Sequence, residues 1–477
     1  MQKKYTSLEQ VQDEISSGNL SHVELINHYL ENIKKRNEEL NVFLEVFENE
    51  ALETAKLCDK NLAEGQKLGR LSGMVFGIKD VICYKGHKVS ASSKMLENFE
   101  SIFTATAVER LVAEGAIVLG RLNCDEFAMG STSEHSFYGP TRNAADPTKV
   151  PGGSSGGSAV AVQSGMCLAA LGSDTGGSVR QPASFCGVFG FKPTYGTISR
   201  HGLIAYASSF DQIGVLSNSV EDAALMVEIM AGKDDFDSTL SQRPVPEFSK
   251  EINPEKKFKV AYIKEAMETP GLDPEIKESI ENLIEKLKAD GHEVEEVNFP
   301  YLEYVVPAYY VMTCAEASSN LSRYDGVHYG YRHEGAKNLL ETYQLTRTHG
   351  FGKEVRRRIM LGNFVLSSGF NDAYYNKAQK VRRLVSDATQ QILKDYDFIL
   401  SPTTPTTAFG IGELTNQDPT TMYLADIYTV QPNLAGIPSV SVPLFKHSND
   451  MPFGLQLMAN KFEESKLFSF SKYLMER

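Results

Sequence analysis

The sequence contains no tryptophan and few cysteines, and none of its six cysteines belongs to a Cys-x-x-Cys pair. Without such pairs, neither a zinc ribbon nor a disulfide framework is indicated. We therefore expect reduced thiols, as in proteins of the intracellular compartment. The cysteines are scattered along the 477 residues, at Cys58, Cys83, Cys124, Cys167, Cys186 and Cys314.

Two further absences concern membranes and nucleic acids. No apolar run reaches the roughly 18 residues of a membrane-spanning helix. The charged start of the chain is not followed by the apolar core of a secretory signal. The net charge of -13 argues against broad electrostatic capture of nucleic acid by this chain alone, although a partner could handle nucleic acid. These absences predict a cytoplasmic protein without membrane contact.

Glycine and serine, by contrast, are concentrated in residues 150–183, where two Gly-Gly-Ser clusters flank a short apolar segment. The first cluster reads P-G-G-S-S-G-G-S-A over 151–159, and the second reads G-S-D-T-G-G-S-V-R-Q-P-A over 172–183. Glycine costs backbone entropy on folding, so this density marks places where the chain takes a positive φ or approaches another group closely. Two serine-bearing turns joined by a buried connector indicate an active site.

Three better-known motifs compete for this stretch. A phosphate-binding P-loop is excluded because neither cluster ends in Gly-Lys-Ser/Thr. A dinucleotide fingerprint needs a strand before its first glycine, whereas Gly152 follows Thr-Lys-Val-Pro. Residues 152–156 do fit the Gly-x-Ser-x-Gly nucleophile elbow of α/β-hydrolases. That elbow also requires a preceding strand, so the same absence counts against it.

The second cluster has the chemical context of a nucleophile. We predict a strand over 166–171, a turn over 172–177 and a helix that begins at Val179. This order places Ser178 beside the free N–H groups of a helix N-terminus. Such donors suit the oxyanion that forms when a hydroxyl attacks a carbonyl.

A serine hydroxyl also needs a base, and no histidine lies nearby in the sequence. Residues 73–82 predict a mostly buried strand with Lys79 and Asp80 inside an apolar run. Lys79 either points to solvent at the strand end or pairs with Asp80. Alternatively, it is a desolvated lysine, neutral enough to take a proton from a hydroxyl through Ser154.

These three segments resemble the amidase signature family, whose members hydrolyse amides through an acyl-enzyme on a Ser–Ser–Lys triad. The resemblance implies that Ser178 is the nucleophile, that Ser154 is a bridging serine on a cis non-proline peptide, and that Lys79 is the general base. It implies an α/β fold with a mixed central β-sheet covered by helices on both faces. It also implies that the oxyanion is bound by the backbone N–H groups of Thr175, Gly176 and Gly177.

Within that family, the flanking segments resemble the glutaminase subunits of tRNA-dependent amidotransferases. The resemblance spans essentially the whole chain. Its clearest stretches lie at 125–131, 191–196, 207–214, 315–321 and 433–438.

A glutamine pocket must offer an acid for the ammonium group and a fixed cation for the carboxylate. The resemblance implies Arg358 as the cation, Asp426 as the acid and Tyr309 as a residue that lines the pocket. The neighbouring Arg356 and Arg357 are interpreted as a solvated helix face.

The same resemblance implies partners. Glutamine would be hydrolysed here, and the ammonia would pass to a second, kinase and transamidase subunit that converts Glu-tRNA(Gln) with ATP and Mg²⁺. That subunit would bind most of the tRNA, and a small third subunit would complete a heterotrimer. No metal and no other cofactor is implied in this chain. Two alternatives stay open, namely a stand-alone amidase for another carboxamide and a non-catalytic scaffold subunit.

The chain has no internal repeat and no low-complexity linker, so a single domain is expected over 1–477. Its predicted parts are N-terminal helices (1–70), the signature core (71–235), a peripheral βαβ segment (236–300) and the remainder with the substrate pocket (301–477). Strands are predicted to end in proline at 398–402 and 439–443. The adjacent acids Asp125 and Glu126 are interpreted as structural, since helix N-termini favour acidic residues.

Overall fold

In a computed structural model that describes residues 4–414 and 423–477, eleven strands of the described chain form one mixed sheet. Their order across the sheet is β1-β3-β2-β4-β6-β5-β10-β11-β9-β7-β8. The strands are β1 (Phe43–Val46), β2 (Val75–Lys79), β3 (Ile117–Leu122), β4 (Ala169–Asp174), β5 (Phe189–Lys192), β6 (Gln212–Ser217), β7 (Lys259–Ile263), β8 (Glu293–Val297), β9 (Phe398–Pro402), β10 (Ser439–Lys446) and β11 (Pro452–Ala459).

The parallel part of the sheet positions the glycine-rich turns. Strand β2 pairs in parallel with both β3 and β4, and all three are fully buried and mostly apolar, as parallel strands usually are. Because parallel neighbours end at the same edge of a sheet, the last residue of β2, Lys79, lies beside the end of β4. The turn that follows Asp174 therefore starts next to Lys79.

Helices pack against the middle of the sheet in two groups. One group contains α5 and α6, and the other contains α7 and α15, with α4 packed on α7, as expected for a sheet covered on both faces. Within the described residues, no helix has the length and apolar character needed to cross a bilayer. The helices are α1 (Leu8–Ser16), α2 (His22–Leu40), α3 (Glu48–Ala63), α4 (Thr106–Ala113), α5 (Gly156–Gln163), α6 (Arg180–Cys186), α7 (Val220–Met230), α8 (Lys264–Met267), α9 (Pro274–Ala289), α10 (Leu302–Asn320), α11 (Leu339–Gly350), α12 (Lys353–Leu366), α13 (Tyr375–Asp395), α14 (Val430–Ala435) and α15 (Glu464–Met475).

The segment predicted as a peripheral βαβ unit forms that unit, but it does not lie as a separate layer on the sheet. Strands β7 and β8 are parallel and flank α9, whose N-terminus is capped by Asp273. Strand β7 also pairs in parallel with β9, more than a hundred residues further along the chain. The unit therefore extends the main sheet by two strands, of which β8 forms the edge, because the backbone N–H and C=O groups of β7 find partners in β9.

The strand predicted to end at Pro443 continues instead. Strand β10 runs on to Lys446, and its register with β11 shifts between Val442 and Phe445. Proline lacks the N–H group that a regular ladder needs. The local irregularity accommodates the missing donor, so the proline does not end the strand.

Candidate active site

Lys79 lies at the end of β2 with a side chain that is 0% exposed. Its Nζ donates hydrogen bonds to the hydroxyls of Ser154 at 2.7 Å, Ser155 at 2.9 Å and Ser173 at 2.9 Å. Asp80 pairs instead with the guanidinium of Arg121 at 2.8 Å. The alternatives in which Lys79 points to solvent or pairs with Asp80 are therefore wrong, and its amine faces three serines.

The surroundings of Lys79 make its amine a weaker base than a solvated lysine. Burial lowers the pKa of Lys79 from 10.5 to about 8, against the opposing influence of the nearby Cys124, Asp125, Asp174 and Asp211. A lysine with such a pKa has a substantial neutral fraction near physiological pH. The amine can therefore accept a proton from a hydroxyl that it contacts.

The first glycine-rich turn presents Ser154 to this amine. The Gly153–Ser154 peptide is cis, and the Ser154 side chain is buried. No strand precedes the turn, because residues 150–155 are irregular and α5 follows, so the nucleophile-elbow alternative is wrong. The N–H of Ser155 donates to the carbonyl of Ser178 at 3.1 Å and joins the two turns.

The second turn begins three residues later than predicted. Strand β4 covers Ala169–Asp174 rather than 166–171, because residues up to Asp174 pair with β6. Ser178 follows in the turn before α6 and is 8% exposed. In the described part of the chain, no hydrogen bond joins the hydroxyls of Ser154 and Ser178. Proton transfer between these two serines therefore stays a prediction.

One of the predicted oxyanion donors is engaged elsewhere. The N–H of Gly177 donates to Oδ1 of Asp174 at 2.9 Å, so Gly177 is not available to an oxyanion in this arrangement. The N–H groups of Thr175, Gly176 and Ser178 make no hydrogen bond within the described residues. The prediction of Gly177 as a donor therefore does not fit this arrangement, whereas Thr175 and Gly176 stay predictions and the Ser178 N–H is a further unengaged donor of the same turn.

A buried ion pair that sequence analysis missed holds the second turn. The carboxylate of Asp174 accepts two hydrogen bonds from Arg180, at 2.9 and 3.1 Å, and one from Asn433 at 2.9 Å. Arg180 in turn donates to the side-chain oxygens of Asn433 and Gln456, both at 2.6 Å. Although burial raises the pKa of Asp174, Arg180 lowers it to about 2. The sequence did contain a signal for this ion pair. Two opposite charges lie six residues apart in a motif that is otherwise mostly small or apolar.

The residues predicted to bind the glutamine backbone are close neighbours. Arg358 is buried on α12, where Nε donates to Glu354 at 2.9 Å and Nη1 donates to the Tyr206 hydroxyl at 2.9 Å. The ring of Tyr310 lies 5.2 Å from the Arg358 guanidinium. The Tyr310 hydroxyl donates to Oδ2 of Asp426 at 2.7 Å. Tyr310 thus contacts both the cation and the acid.

Asp426 and Tyr309 complete this cluster. Ser131 also donates to Oδ2 of Asp426, at 2.9 Å, and burial raises the pKa of Asp426 to about 6. Tyr309 precedes Tyr310 on α10, and its ring packs so closely on Gly176 that a Cβ there would collide with it. The pocket cluster and the Ser178 turn therefore meet at Tyr309.

The remaining charged residues behave as predicted, with one addition. Arg356 is exposed, and Arg357 is partly exposed and pairs with Glu354 at 2.6 Å. Glu354, which sequence analysis missed, binds Arg357 and Arg358 together. A cavity of about 720 Å³ reaches Glu354, but Lys79, Ser154 and Ser178 do not line it.

The adjacent acids have structural partners, as interpreted from the sequence, although neither caps a helix through its side chain. Asp125 accepts the backbone N–H groups of Ser133 at 2.9 Å and His135 at 3.1 Å. Glu126 accepts the N–H of Gly352 at 2.8 Å. Both carboxylates hold loops around the site.

Comparison with known proteins agrees with this arrangement. The family model described as Amidase matches residues 24–468. The sequence is 47% identical over 474 residues to the A subunit of glutamyl-tRNA(Gln) amidotransferase from Chlorobium limicola, with 99% of each chain covered. It is also 47% identical to the protein of the same name in Bdellovibrio bacteriovorus, over 98% of this chain and 96% of the relative.

Solved structures give the same result for the fold. The A subunit of glutamyl-tRNA(Gln) amidotransferase from Thermotoga maritima has a TM-score of 0.81 at 42% identity, over 99% of this chain and 94% of that one. The native peptide amidase of Stenotrophomonas maltophilia has a TM-score of 0.83 at 27% identity, over 99% and 96% of the two chains. The fold is therefore common to relatives that are named for different activities.

Proposed function

The chain belongs to the amidase family, and we propose that it is the glutaminase subunit of a tRNA-dependent amidotransferase. In this proposal it hydrolyses glutamine to glutamate and ammonia, and the ammonia serves the conversion of Glu-tRNA(Gln) to Gln-tRNA(Gln). The relatives at 47% identity over nearly the full length carry the name of the A subunit of that enzyme. A stand-alone amidase for another carboxamide is the alternative.

The observation that carries the choice of glutamine is the pair of buried opposite charges on either side of Tyr310. A free amino acid has both a carboxylate and an ammonium group, and each must be paired when it leaves water. Arg358 would bind the carboxylate through its planar guanidinium. Asp426, with a pKa of about 6, is mostly ionised at neutral pH and would bind the ammonium group.

The proposed first step forms an ester. Neutral Lys79 accepts a proton from Ser154 while Ser154 accepts one from Ser178, and the Ser178 oxygen attacks the side-chain amide carbon of glutamine. The carbonyl oxygen becomes an oxyanion, which the N–H groups of Thr175, Gly176 and Ser178 would stabilise. The C–N bond then breaks, the leaving nitrogen takes the proton back through Ser154, and ammonia departs.

Water completes the reaction. The γ-glutamyl ester on Ser178 is attacked by a water molecule whose proton passes through Ser154 to Lys79. Collapse of the second oxyanion releases glutamate, and Ser178 recovers its proton by the same route. The enzyme returns to its starting state with one water consumed.

The second half of the reaction belongs to partners in this proposal. A second subunit would use ATP and Mg²⁺ to activate the glutamate carboxyl of Glu-tRNA(Gln), and would bind most of the tRNA. A small third subunit would complete the heterotrimer. The net charge of -13 on this chain supports the placement of most RNA contacts on a partner.

Substrate preference tests the proposal. We would assay the full chain, alone and with its partner subunits, for hydrolysis of glutamine, acetamide and an aryl amide. We expect glutamine to be preferred and the partners to stimulate its hydrolysis. The variants Arg358→Lys and Asp426→Asn should each raise the KM for glutamine about 10- to 100-fold, since a charge-assisted contact contributes about 1.5–3 kcal/mol.

The matched control is Arg356→Lys, which changes an exposed arginine on the same helix and should leave the KM unchanged. Strong hydrolysis of acetamide or the aryl amide without stimulation by the partners would overturn the assignment. A glutaminase rate that is unchanged in Ser178→Ala would instead support the scaffold alternative.

A further inference from the structure

The peptide unit between Gly176 and Gly177 is held at both ends by side chains. The carbonyl oxygen of Gly176 accepts a hydrogen bond from Oγ1 of Thr429 at 2.8 Å. The N–H of Gly177 donates to Oδ1 of Asp174 at 2.9 Å. In a trans peptide the C=O and N–H groups point in opposite directions, so these two contacts fix the rotation of the whole peptide plane.

This peptide needs such external contacts because both of its residues are glycine. Glycine accepts nearly the whole range of backbone angles, and Gly177 has a φ of +127°, which other residues rarely adopt. The turn therefore does not determine its own geometry. The N–H groups of Gly176 and Ser178 belong to the two adjoining peptide units, which are attached directly to this fixed peptide, and they are two of the three unengaged donors beside Ser178.

Thr429 also belongs to the end of the pocket that contains Asp426. It is fully buried, and its N–H donates to the carbonyl oxygen of Asp426 at 3.1 Å. Its hydroxyl has one proton and lies closer to the Gly176 carbonyl than to the Asp426 carbonyl, which is 3.2 Å away. The Thr429 side chain packs so tightly on Gly177 that a Cβ there would collide with it.

We propose that Thr429 is a positioning residue that fixes the Gly176–Gly177 peptide, and so aims the oxyanion donors while it connects them to Asp426. The inference rests on the proposed amide hydrolysis at Ser178. Thr429 does not contact the reacting atoms in this proposal. Its loss should therefore affect the transition state more than the binding of substrate.

Substitution of the hydroxyl tests this role. Thr429→Val keeps the shape of the side chain but removes the hydrogen bond to Gly176, and we expect kcat for glutamine to fall about 10- to 100-fold. This loss is below the roughly 100- to 1000-fold effect of deleting an oxyanion donor outright. The KM should change less than about threefold, because the substrate contacts at Arg358 and Asp426 remain.

Two variants separate positioning from general damage. Thr429→Ser keeps the hydroxyl and should retain kcat within about threefold of the wild type. Thr342→Val removes another buried threonine hydroxyl that donates to a backbone carbonyl, on α11, and should leave kcat unchanged. If Thr429→Val fails to fold, Thr429→Ala also removes the hydroxyl but places no methyl group against the Gly176 carbonyl, and Thr429→Ser remains its comparison.

Three results would overturn the inference. They are an unchanged kcat in Thr429→Val, a change in that variant that affects only KM, and a fall in kcat that is equally large in Thr429→Ser. A failure of the proposed function would give a different experimental result. If the wild type hydrolyses another amide but not glutamine, the substrate assignment is wrong, and the same variants assayed on that amide still decide the role of Thr429.

Discussion

At the scale of single residues, the protonation state of Lys79 controls the proposed reaction. The neutral amine is the base, and the pKa of about 8 leaves roughly one-tenth of it neutral at pH 7. We expect kcat/KM for glutamine to rise about tenfold per pH unit below pH 8 and to level off above it. Initial rates between pH 6 and 9.5 would measure this profile.

Lys79→Arg provides the complementary variant. Its guanidinium stays protonated at every pH in this range, so we expect no turnover at any of them. Lys259→Arg, at an exposed lysine that begins β7, should behave as the wild type. A flat wild-type profile, or activity in Lys79→Arg near neutral pH, would contradict the role of Lys79 as base.

The Asp174–Arg180 pair gives a prediction about stability. Asp174→Asn leaves the Arg180 charge buried without its carboxylate, so the free energy of unfolding should fall by about 3–5 kcal/mol. Urea denaturation would measure the loss. Asp450→Asn, which removes an exposed partner of Lys446, should cost less than about 1 kcal/mol.

The pH dependence of this loss has a defined sign. The pKa of Asp174 is lowered to about 2 from an ordinary 3.8, so its carboxylate stabilises the folded state fully above pH 3.8. That contribution disappears as the pH falls towards 2. The difference between wild type and Asp174→Asn should therefore narrow below about pH 4, and a difference that widens in acid would refute the assignment.

Residue types and spacing made Lys79, Ser154 and Ser178 candidates, and the family resemblance then assigned them their roles. They did not reveal Asn433, because its contact with Asp174 spans 259 residues and depends on how α14 meets the turn. The prediction of Gly177 as a donor failed for a local reason instead. Its N–H is engaged by a side chain three residues away, and only the backbone conformation of the turn determines that contact.

At the scale of elements, the sequence predicted which strands exist better than where they end. Strand β2 and the β7–α9–β8 unit follow from their apolar patterns and caps. The end of β4 was wrong because Gly172 and Ser173 have low strand propensity but pair with β6. The pairing of β7 with β9 depends on sheet order, which local patterns do not contain.

The crossing of α10 and α12 gives an element-scale prediction. A Cβ on Gly362 would collide with the backbone carbonyl of Cys314, so Gly362→Ala must push the two helices apart. Tyr310 lies on α10 and Arg358 on α12, so their contact should loosen. We expect a rise in the KM for glutamine of about tenfold and a loss of about 1–3 kcal/mol of stability.

The predicted loss of stability is opposite to helix propensity, because alanine is normally more favourable than glycine inside a helix by about 1 kcal/mol. The overlap with a backbone atom outweighs that gain, since the carbonyl cannot rotate away as a side chain could. Asn363→Ala, at the exposed next position of α12, should leave the KM unchanged. A Gly362→Ala variant that is more stable and binds glutamine normally would contradict the proposed contact.

At the scale of the whole molecule, the site combines distant parts of one chain. The proposed base, Lys79, lies on β2, and the two serines lie at 154 and 178. Residues between 429 and 456 help to hold the second turn. The segment 236–300 adds edge strands to the same sheet. These contacts support one cooperative unit, because the second turn, which carries Ser178, depends on residues near the end of the described chain.

The assembled amidotransferase offers a test that separates ammonia production from the rest of the proposed reaction. In the complex with its partners, Ser178→Ala should abolish formation of Gln-tRNA(Gln) from glutamine, because no γ-glutamyl ester can form. Ammonium chloride supplies the same nucleophile directly and should restore product formation to the wild-type rate with ammonium. Ser164→Ala, at a serine whose hydroxyl donates to a carbonyl oxygen of the preceding helix α5, should use both nitrogen sources normally. Product that still forms from glutamine would remove Ser178 as nucleophile. Failure with both nitrogen sources would mean that the serine supports the complex in a way that ammonia production does not explain.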